Sequence, residues 1–293
     1  MIKKVKKCLL LIICVLLIGS FSGCSIVDQI ERKFGWRNDY FEYLNNDNTE
    51  EISIQSTRDL GFKFIVTDPS SIIDMYELLA HSKVSNNKSD LQPDYIFEFH
   101  YGDEVKKFYY VVGSSGGNFY NDDIAFSVSK RLDEGLIKNL SFIRKPRDFE
   151  YVYYDTILNV LKKAAEELEK SNKGKEYIEN LKVGVNISGD IDCLKYVYSS
   201  DIKSFLNKAN KIFPNVKLVE NNSDEFNFVV TVKNRGYDST NFKTLITVSN
   251  KIERTEESYY VIAVNEFKEW NIEVAGPNPD KIPEAWWLKT PNL

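Results

Sequence analysis

The sequence contains few of the residues that carry most enzyme chemistry. Its 293 residues include only two histidines, His81 and His100, and four cysteines. Histidine is the side chain best suited to proton transfer near neutral pH, and clustered cysteines and histidines form most structural zinc sites. Cys8 and Cys14 form the only close cysteine pair, and both lie in an N-terminal apolar segment. We therefore predict no catalytic residues, no metal site and no cofactor.

The sequence also lacks a complete nucleophile or phosphate-binding motif. Residues 113–117, Gly-Ser-Ser-Gly-Gly, match the G-x-S-x-G string. A nucleophile elbow needs a helix directly after it and, in that fold, a base histidine later in the chain. Here a short strand is predicted next, and both histidines precede Ser115. The G-K-[S/T] ending of a phosphate-binding loop is absent as well. We interpret the segment as a glycine turn.

No apolar run is long enough to cross a bilayer. Residues 8–18 form an apolar run of 11 residues, whereas a spanning helix needs about 20. Four lysines precede this run, and small residues dominate the segment that follows it. Such a pattern is typical of a secretory signal peptide. The alternative is an uncleaved signal anchor.

The end of the apolar segment, Gly19-Ser-Phe-Ser-Gly-Cys24, resembles the lipobox of bacterial lipoproteins. Phe21 stands where that pattern prefers leucine. The resemblance implies cleavage of residues 1–23, lipid attachment to Cys24, and a mature chain at the extracellular face of a Gram-positive cell membrane. Cys193 would then be the only thiol, so no intramolecular disulfide could form.

Charge argues against nucleic acid as a partner. From Cys24 onward, 34 basic residues stand against 43 acidic ones, a net charge of −9. Proteins that bind nucleic acid generally carry a basic patch or stripe, and this chain has none with interleaved stacking aromatics. The expected partners are the membrane, through the lipid on Cys24, and a protein or cell-wall component.

Hydrophobic patterning predicts an α+β fold with two domains, each a mostly antiparallel sheet packed with helices. The predicted parts are a signal peptide (1–23), a tether (24–51), a first domain (52–145) and a second domain (146–293). The first reads β-β-α-β-β-β-α and closes with a helix over 126–142. The second begins with a long helix over 149–171 and ends in a non-helical strap containing prolines and tryptophans.

Aromatic residues supply most of the candidate binding residues. The chain has 17 Tyr, 18 Phe and 4 Trp. Adjacent aromatics in an extended segment point to opposite faces, so one of each pair is expected to be exposed unless both faces are covered. Glu98 and His100 share the more polar face of a predicted strand. The binding candidates are Glu98, His100, Tyr110, Tyr259, Trp286 and Trp287. The alternative is aromatic filling of a two-sided core.

Three short motifs resemble a known domain. Thr67-Asp-Pro69 opens a helix, Pro93–Phe99 is followed by a hairpin and Phe108-Tyr-Tyr110, and Phe126-Ser-Val-Ser129 opens the closing helix. Together, over residues 64–140, they resemble the YhfM-like domain of Gram-positive lipoproteins. The resemblance implies a surface-anchored module and brings no catalytic residues with it.

These observations predict an exported, membrane-anchored, non-enzymatic protein with a binding or accessory role at the cell envelope. One alternative is an envelope hydrolase, which would require two carboxylates to converge in a cleft with a perturbed pKa. The other is a lipoprotein that binds a small molecule for a transporter. Such proteins usually have two lobes with parallel sheets.

Overall fold

The computed structural model describes residues 37–45, 49–114, 116–129, 132, 145–171, 173 and 175–287. The strands are β1 (Thr49–Ser56), β2 (Lys63–Val66), β3 (Lys83–Ser85), β4 (Tyr95–Tyr101), β5 (Glu104–Tyr110), β6 (Phe119–Tyr120), β7 (Ala125–Ser127), β8 (Val183–Asn186), β9 (Lys217–Leu218), β10 (Phe228–Tyr237), β11 (Asn241–Asn250), β12 (Thr255–Glu266) and β13 (Glu269–Ala275). The helices are α1 (Pro69–Ala80), α2 (Phe149–Lys170), α3 (Lys175–Asn180), α4 (Ile191–Leu194), α5 (Ser199–Ala209) and α6 (Glu284–Trp287).

The first domain is built on a sheet with the order β2-β1-β4-β5-β6-β7-β3. Its described strand pairs are all antiparallel. One face of β4 and β5 carries a run of phenylalanines because alternate residues point the same way. Their rings pack closely, and Phe108 stacks on Phe119 with ring centroids 4.8 Å apart. Helix α1 closes this core, and Asp68 accepts a hydrogen bond from the Ser71 N–H at its start.

The chain joins the first domain before the predicted tether ends. Phe41 and Leu44 are buried in the phenylalanine core, and β1 begins at Thr49. The Asn38 side-chain amide donates to main-chain carbonyls of Leu79 and Ala80, at the end of α1. The segment from residue 37 is therefore part of the domain. Residues 24–36 of the predicted tether lie outside the described residues.

The second domain is built on a sheet with the order β13-β12-β11-β10-β8-β9. Strands β10 to β13 form an antiparallel meander, while β8 pairs in parallel with β10 and β9. Helix α2 packs on this sheet through a buried stripe that includes Tyr153, Ile157 and Leu161. The two domains have separate cores. The α+β class with two mainly antiparallel sheets is confirmed.

Several short elements differ from the prediction. The closing helix of the first domain does not begin at Phe126, because Ala125–Ser127 is a strand that pairs with β3; most of the remaining segment lies outside the described residues. The strap includes one helical turn, α6, whereas no helix was predicted there. Short strands such as β9 were also missed. Among the described residues, no helix has both the length and the apolar character needed to cross a bilayer.

Candidate binding site beside the domain junction

A buried carboxylate of the first domain, that of Asp94, joins the two domains. The Asp94 side chain is 1% exposed and lies 2.5 Å from Nη1 of Arg58, which is also in the first domain. The same carboxylate accepts hydrogen bonds from the N–H groups of Val112 and Ser199, both at 2.8 Å. Ser199 is the first residue of α5 in the second domain, so Asp94 satisfies a main-chain donor at that helix terminus.

Ser199 strengthens the junction through its hydroxyl group. Its Oγ accepts from Nη2 of Arg58 at 2.5 Å and donates to the main-chain oxygen of Gln92 at 2.8 Å. Burial raises the pKa of Asp94, against the opposing effects of Arg58 and the two N–H donors. The donors compensate the buried charge, and they fix the position of α5 against the first domain.

A small cavity lies beside this junction, between the first turns of α2 and one face of α5. Its volume is about 230 Å³. Residues spaced three or four apart on each helix face it, as expected for two packed helices. The lining consists of Glu150, Tyr151 and Tyr154 from α2, and Asp201, Ser204, Phe205 and Lys208 from α5.

Two carboxylates converge in this cavity. Burial is the largest cause that raises the pKa of Asp201 to about 6; the negative charges of Glu150 and Asp94 act in the same direction, and Lys145 opposes them. Within the part of the chain that the structure describes, neither Asp201 nor Glu150 has a side-chain hydrogen bond or salt bridge. Asp201 is half-buried, so its charged form is poorly solvated.

A phenol in the same wall is also unsatisfied. The Tyr154 hydroxyl group is buried and has no hydrogen-bond partner among the described residues. Its ring stacks on Phe205, with centroids 5.2 Å apart and planes at 29°. Burial and the nearby Asp201 raise the pKa of Tyr154 well above its usual value, so the phenol stays neutral. A buried hydroxyl without a partner typically costs about 1–3 kcal/mol.

Lys208 does not neutralise the carboxylates. Its Nζ lies 3.8 Å from Oδ1 of Asp155, which also takes a hydrogen bond from Tyr151. The lysine is therefore balanced by a third carboxylate, that of Asp155. The cavity as a whole is acidic, and each of the two helices contributes one carboxylate and at least one aromatic ring to its lining.

The strand candidates Glu98 and His100 lie on one face of β4, as predicted, and both pair with β1. The Ser53 hydroxyl donates to Glu98 at 3.3 Å, and His100 Nε2 lies 3.9 Å from Oε1 of Glu51. These cross-strand contacts match the register of the two strands. The structure places neither residue in the cavity described above.

Two aromatic candidates need correction. Tyr110 and Tyr259 are fully buried, at 0% exposure, so neither side chain can form part of a binding surface. Tyr110 packs edge-on against Phe97, and Tyr259 belongs to the core of the second domain. Other elements cover the sheet faces on which these two side chains lie. For Tyr110 and Tyr259, therefore, the alternative interpretation holds, in which the aromatic residues fill a core.

The tryptophan candidates lie on the other face of the second sheet. Trp286 packs against Tyr260, with ring centroids 5.0 Å apart, and it is half-buried. Trp287 is 68% exposed. The Lys243 ammonium donates to the main-chain oxygen of Trp286 at 3.4 Å. Trp287 is the aromatic candidate that remains available to a partner, and it lies apart from the acidic cavity.

Two chemical motifs have structural roles. The segment 113–117 leads into the short strand β6 with no helix directly after it, so it lacks the context of a nucleophile elbow. Asp190 accepts from the Tyr153 hydroxyl at 3.0 Å and from the Asn234 N–H at 2.9 Å, which ties α2 to β10. Nowhere in the described residues do three or more His, Cys, Asp or Glu side chains gather as possible metal ligands.

Comparison with known families bears on the first domain. Residues 45–146 match the YhfM protein family. This region covers strands β1 to β7 and helix α1, so the resemblance of the first domain to YhfM is confirmed over a longer stretch than 64–140. No curated protein and no solved structure shows significant similarity to the chain. The acidic cavity, formed by α2 and α5, lies outside the YhfM region.

Sequence reasoning did not find Glu150, Tyr154 or Asp201. Each lies on a helix at a spacing that also suits an ordinary packed or solvated face. The available signal was weak: Glu150 and Asp201 are both in the first turn of a helix, with aromatic residues at i+4 in each case. Their convergence depends on the packing of two helices that lie far apart in the chain.

Proposed function

We propose that the protein is an exported, lipid-anchored binding protein of the cell envelope and not an enzyme. The observation that carries the binding role is the acidic cavity between α2 and α5, whose lining includes the half-buried Asp201 carboxylate. This carboxylate has no side-chain partner among the described residues, so a ligand that compensates its charge would stabilise the folded protein.

The sequence before the first domain supports the anchoring. Cys24 follows a lipobox-like segment, and residues 25–36 connect it to Arg37, where the described chain begins. Even fully extended, this connection spans about 45 Å. Arg37 pairs with Glu77 at 2.8 Å, on the last turns of α1. The first domain would thus sit close to the membrane surface.

Anchoring is tested by Cys24→Ala. We expect the variant to lose incorporated fatty acid and to move from the membrane fraction to the medium or the soluble fraction. The matched control is Cys8→Ala with Cys14→Ala, because both cysteines would leave with the signal peptide, and this variant should stay anchored. A Cys24→Ala protein that remains in membranes with an intact N-terminus would support the signal-anchor alternative.

An envelope hydrolase is the second candidate function, and the convergence of Glu150 and Asp201 favours it. A carboxyl group with its pKa raised to about 6 and a second carboxyl group in the same cavity is the arrangement of a general acid and its partner. Incubation of the purified protein with isolated cell-wall polymer, followed by assay of new reducing ends and amines, tests this function. Release that Asp201→Asn and Glu150→Gln both abolish would establish the hydrolase and overturn the non-enzymatic proposal.

The transporter-associated alternative has less support. Its usual architecture pairs two lobes with parallel sheets, whereas the described strands of the first sheet pair only antiparallel. In the second sheet, parallel pairing is confined to β8 and its two neighbours.

A further inference from the structure

A second cavity, of about 340 Å³, lies where two loops of the first domain meet α5 of the second. One loop connects β3 to β4, and the other is the glycine turn that follows β5. Leu91 is the only large apolar side chain in the described lining, and the other side chains carry hydroxyl, amide or charged groups. The volume corresponds to about eleven water molecules. Cavities between domains are common sites for small molecules, and this one suits a polar ligand.

The two loops of the first domain are held together at the cavity. Gly117 has a φ of 57°, and a Cβ atom there would lie 1.8 Å from the main-chain oxygen of Asn87, so only glycine permits this approach. The Ser89 N–H donates to the Gly117 oxygen at 3.0 Å, and the hydroxyl groups of Ser89 and Ser114 lie 3.2 Å apart. The glycine turn therefore builds a fixed wall, which reduces the ordering cost of binding.

Helix α5 contributes a lysine from the second domain. Ser199, its first residue, donates its N–H to Asp94 of the first domain, and Lys203 lies four residues later on the same side of the helix. The glycine turn approaches this helix closely, since a Cβ atom at Gly113 would lie 3.3 Å from Oγ of Ser200. The junction that fixes α5 thus also places Lys203 over the loops of the first domain, where it lines the cavity.

The charge of the lining favours an anion. It includes two ammonium groups, those of Lys88 and Lys203, and one carboxylate, that of Asp90. Within the part of the chain that the structure describes, Lys203 has no hydrogen bond or ion pair. Lys88 donates to the main-chain oxygen of Asp122 at 3.0 Å, an uncharged acceptor. The cavity therefore has a local excess of positive charge in a chain whose net charge is −5.

We propose that this cavity binds a polyol phosphate, a phosphate ester of a small molecule with several hydroxyl groups. The phosphate lies between the ammonium groups of Lys88 and Lys203. The Ser114 hydroxyl accepts from Ser89 and donates its own proton to the phosphate. Asp90 accepts hydrogen bonds from the polyol, because a carboxylate accepts from hydroxyl groups but repels a phosphate. This site goes beyond the function proposed above, since it is separate from the acidic cavity.

The test is calorimetric titration of the full-length protein in an uncharged detergent with glycerol 3-phosphate at pH 7.5. Glycerol and inorganic phosphate are the matched probes for the two halves of the ligand. We expect saturable binding of glycerol 3-phosphate, at least tenfold tighter than that of glycerol and at least threefold tighter than that of phosphate. Binding should weaken in 0.5 M NaCl, because salt screens exposed ammonium groups. Equal binding of glycerol, or no dependence on salt, would overturn the proposal.

Variants locate the binding to this cavity. We expect Lys203→Gln and Lys88→Gln each to weaken glycerol 3-phosphate binding at least fivefold; both side chains are exposed, so urea midpoints should stay unchanged. Lys211→Gln, an exposed change of the same charge just after α5, is the control and should bind normally. Asp90→Ala should reduce the preference for glycerol 3-phosphate over inorganic phosphate. Unchanged affinity in Lys203→Gln would overturn the assignment. The acidic cavity shares no lining residue with this one, so the function proposed above would stand.

A polyol phosphate occurs both in soluble or polymeric form and in the head group of phosphatidylglycerol. Titration in detergent micelles that contain phosphatidylglycerol, with phosphatidylcholine micelles as the matched control, distinguishes these sources. Loss of glycerol 3-phosphate binding in phosphatidylglycerol micelles alone would support the site and identify a lipid head group as its ligand. Undiminished binding in both would support a soluble or polymeric ligand. Displacement by both lipids would show no selection for the polyol and would overturn the proposal.

Discussion

Two carboxylates, Asp94 in the first domain and Asp201 in the second, are solvated by the protein in opposite ways. Asp94, in the first domain, accepts from Arg58 and from two main-chain N–H groups, one of them in the second domain. Asp201, in the second domain, has no side-chain partner among the described residues and a pKa raised to about 6. Burial costs a charge in both places, but only at Asp94 is the cost offset within the protein. A satisfied carboxylate indicates a structural role, and an unsatisfied one indicates a ligand.

The largest expected effect comes from removing the satisfied carboxylate. Asp94→Ala leaves Arg58 and the N–H groups of Val112 and Ser199 without their acceptor. Loss of one partner of a buried ion pair costs about 3–5 kcal/mol. Urea unfolding of the full chain measures this loss. The control is Asp103→Ala, at an exposed turn, which should change stability by less than about 0.5 kcal/mol. Similar values for the two variants would contradict the structural role of Asp94.

The opposite sign is expected for the unsatisfied carboxylate. Asp201 binds its proton more tightly in the folded state, with a pKa of about 6 against an ordinary 3.8. Its contribution to stability is therefore greatest below about pH 4 and is lost as the pH rises towards 6. Glu150, Asp94 and Lys145 are the charged groups that face it.

Asp201→Asn removes the ionisable carboxyl group, and with it the loss of stability at high pH. Allowing for solvent screening of a half-exposed group, we expect a gain of about 1 kcal/mol at pH 7.5 and no gain at pH 3.5. Urea midpoints at the two pH values measure it. A loss of stability at pH 7.5 would show that the carboxylate has a structural partner.

A buried charge can also be compared with a cation that the first domain itself supplies, that of Lys106. The ammonium group of Lys106 lies 4.1 Å from the ring centroid of Tyr43 and within 6 Å of those of Tyr40 and Tyr101. Here the protein supplies its own cation to an aromatic cluster. Lys106→Met keeps the stem and removes the charge, so we expect a loss of about 1 kcal/mol in urea unfolding. The neighbouring Lys107→Met, which faces the single ring of Tyr109, is the control and should cost less.

The smallest effect is expected at Tyr154. Its hydroxyl is buried without a partner among the described residues, so Tyr154→Phe removes an unmet polar group and leaves the ring in place. We expect stability to be unchanged or to rise by about 0.5 kcal/mol. Thermal unfolding of the two proteins side by side measures the change. A loss above about 1 kcal/mol would mean that the hydroxyl is satisfied in solution by a bound water.

Much of the fold was predictable because its signals are local. Alternation in Tyr95–Tyr101 marked β4, and apolar spacing marked α2 to within one residue of its observed end. The segment of β7 was wrongly predicted to begin a helix. Its three residues form a strand because they pair with β3, about 40 positions earlier in the chain. A short strand of this kind has no periodicity of its own, and its partner decides its conformation.

The candidate site was less predictable than the fold. Tyr110 and Tyr259 have the composition of binding residues, but neighbouring elements bury them. Exposure is a property of what packs on a face, which strand alternation does not specify. Trp287 remained exposed, and Glu98 and His100 formed the cross-strand contacts that their shared strand face allowed.

By itself, the sequence determined the α+β class, the order of the main elements, the resemblance of the first domain to YhfM and the prediction of export with a lipid on Cys24. Each of these depends on residues close together in the chain. Only the tertiary structure brought Asp94 to Ser199, and Glu150 to Asp201. Burial and proximity between distant residues set the cost of an unpaired charge, and those quantities exist only after the helices and sheets have packed.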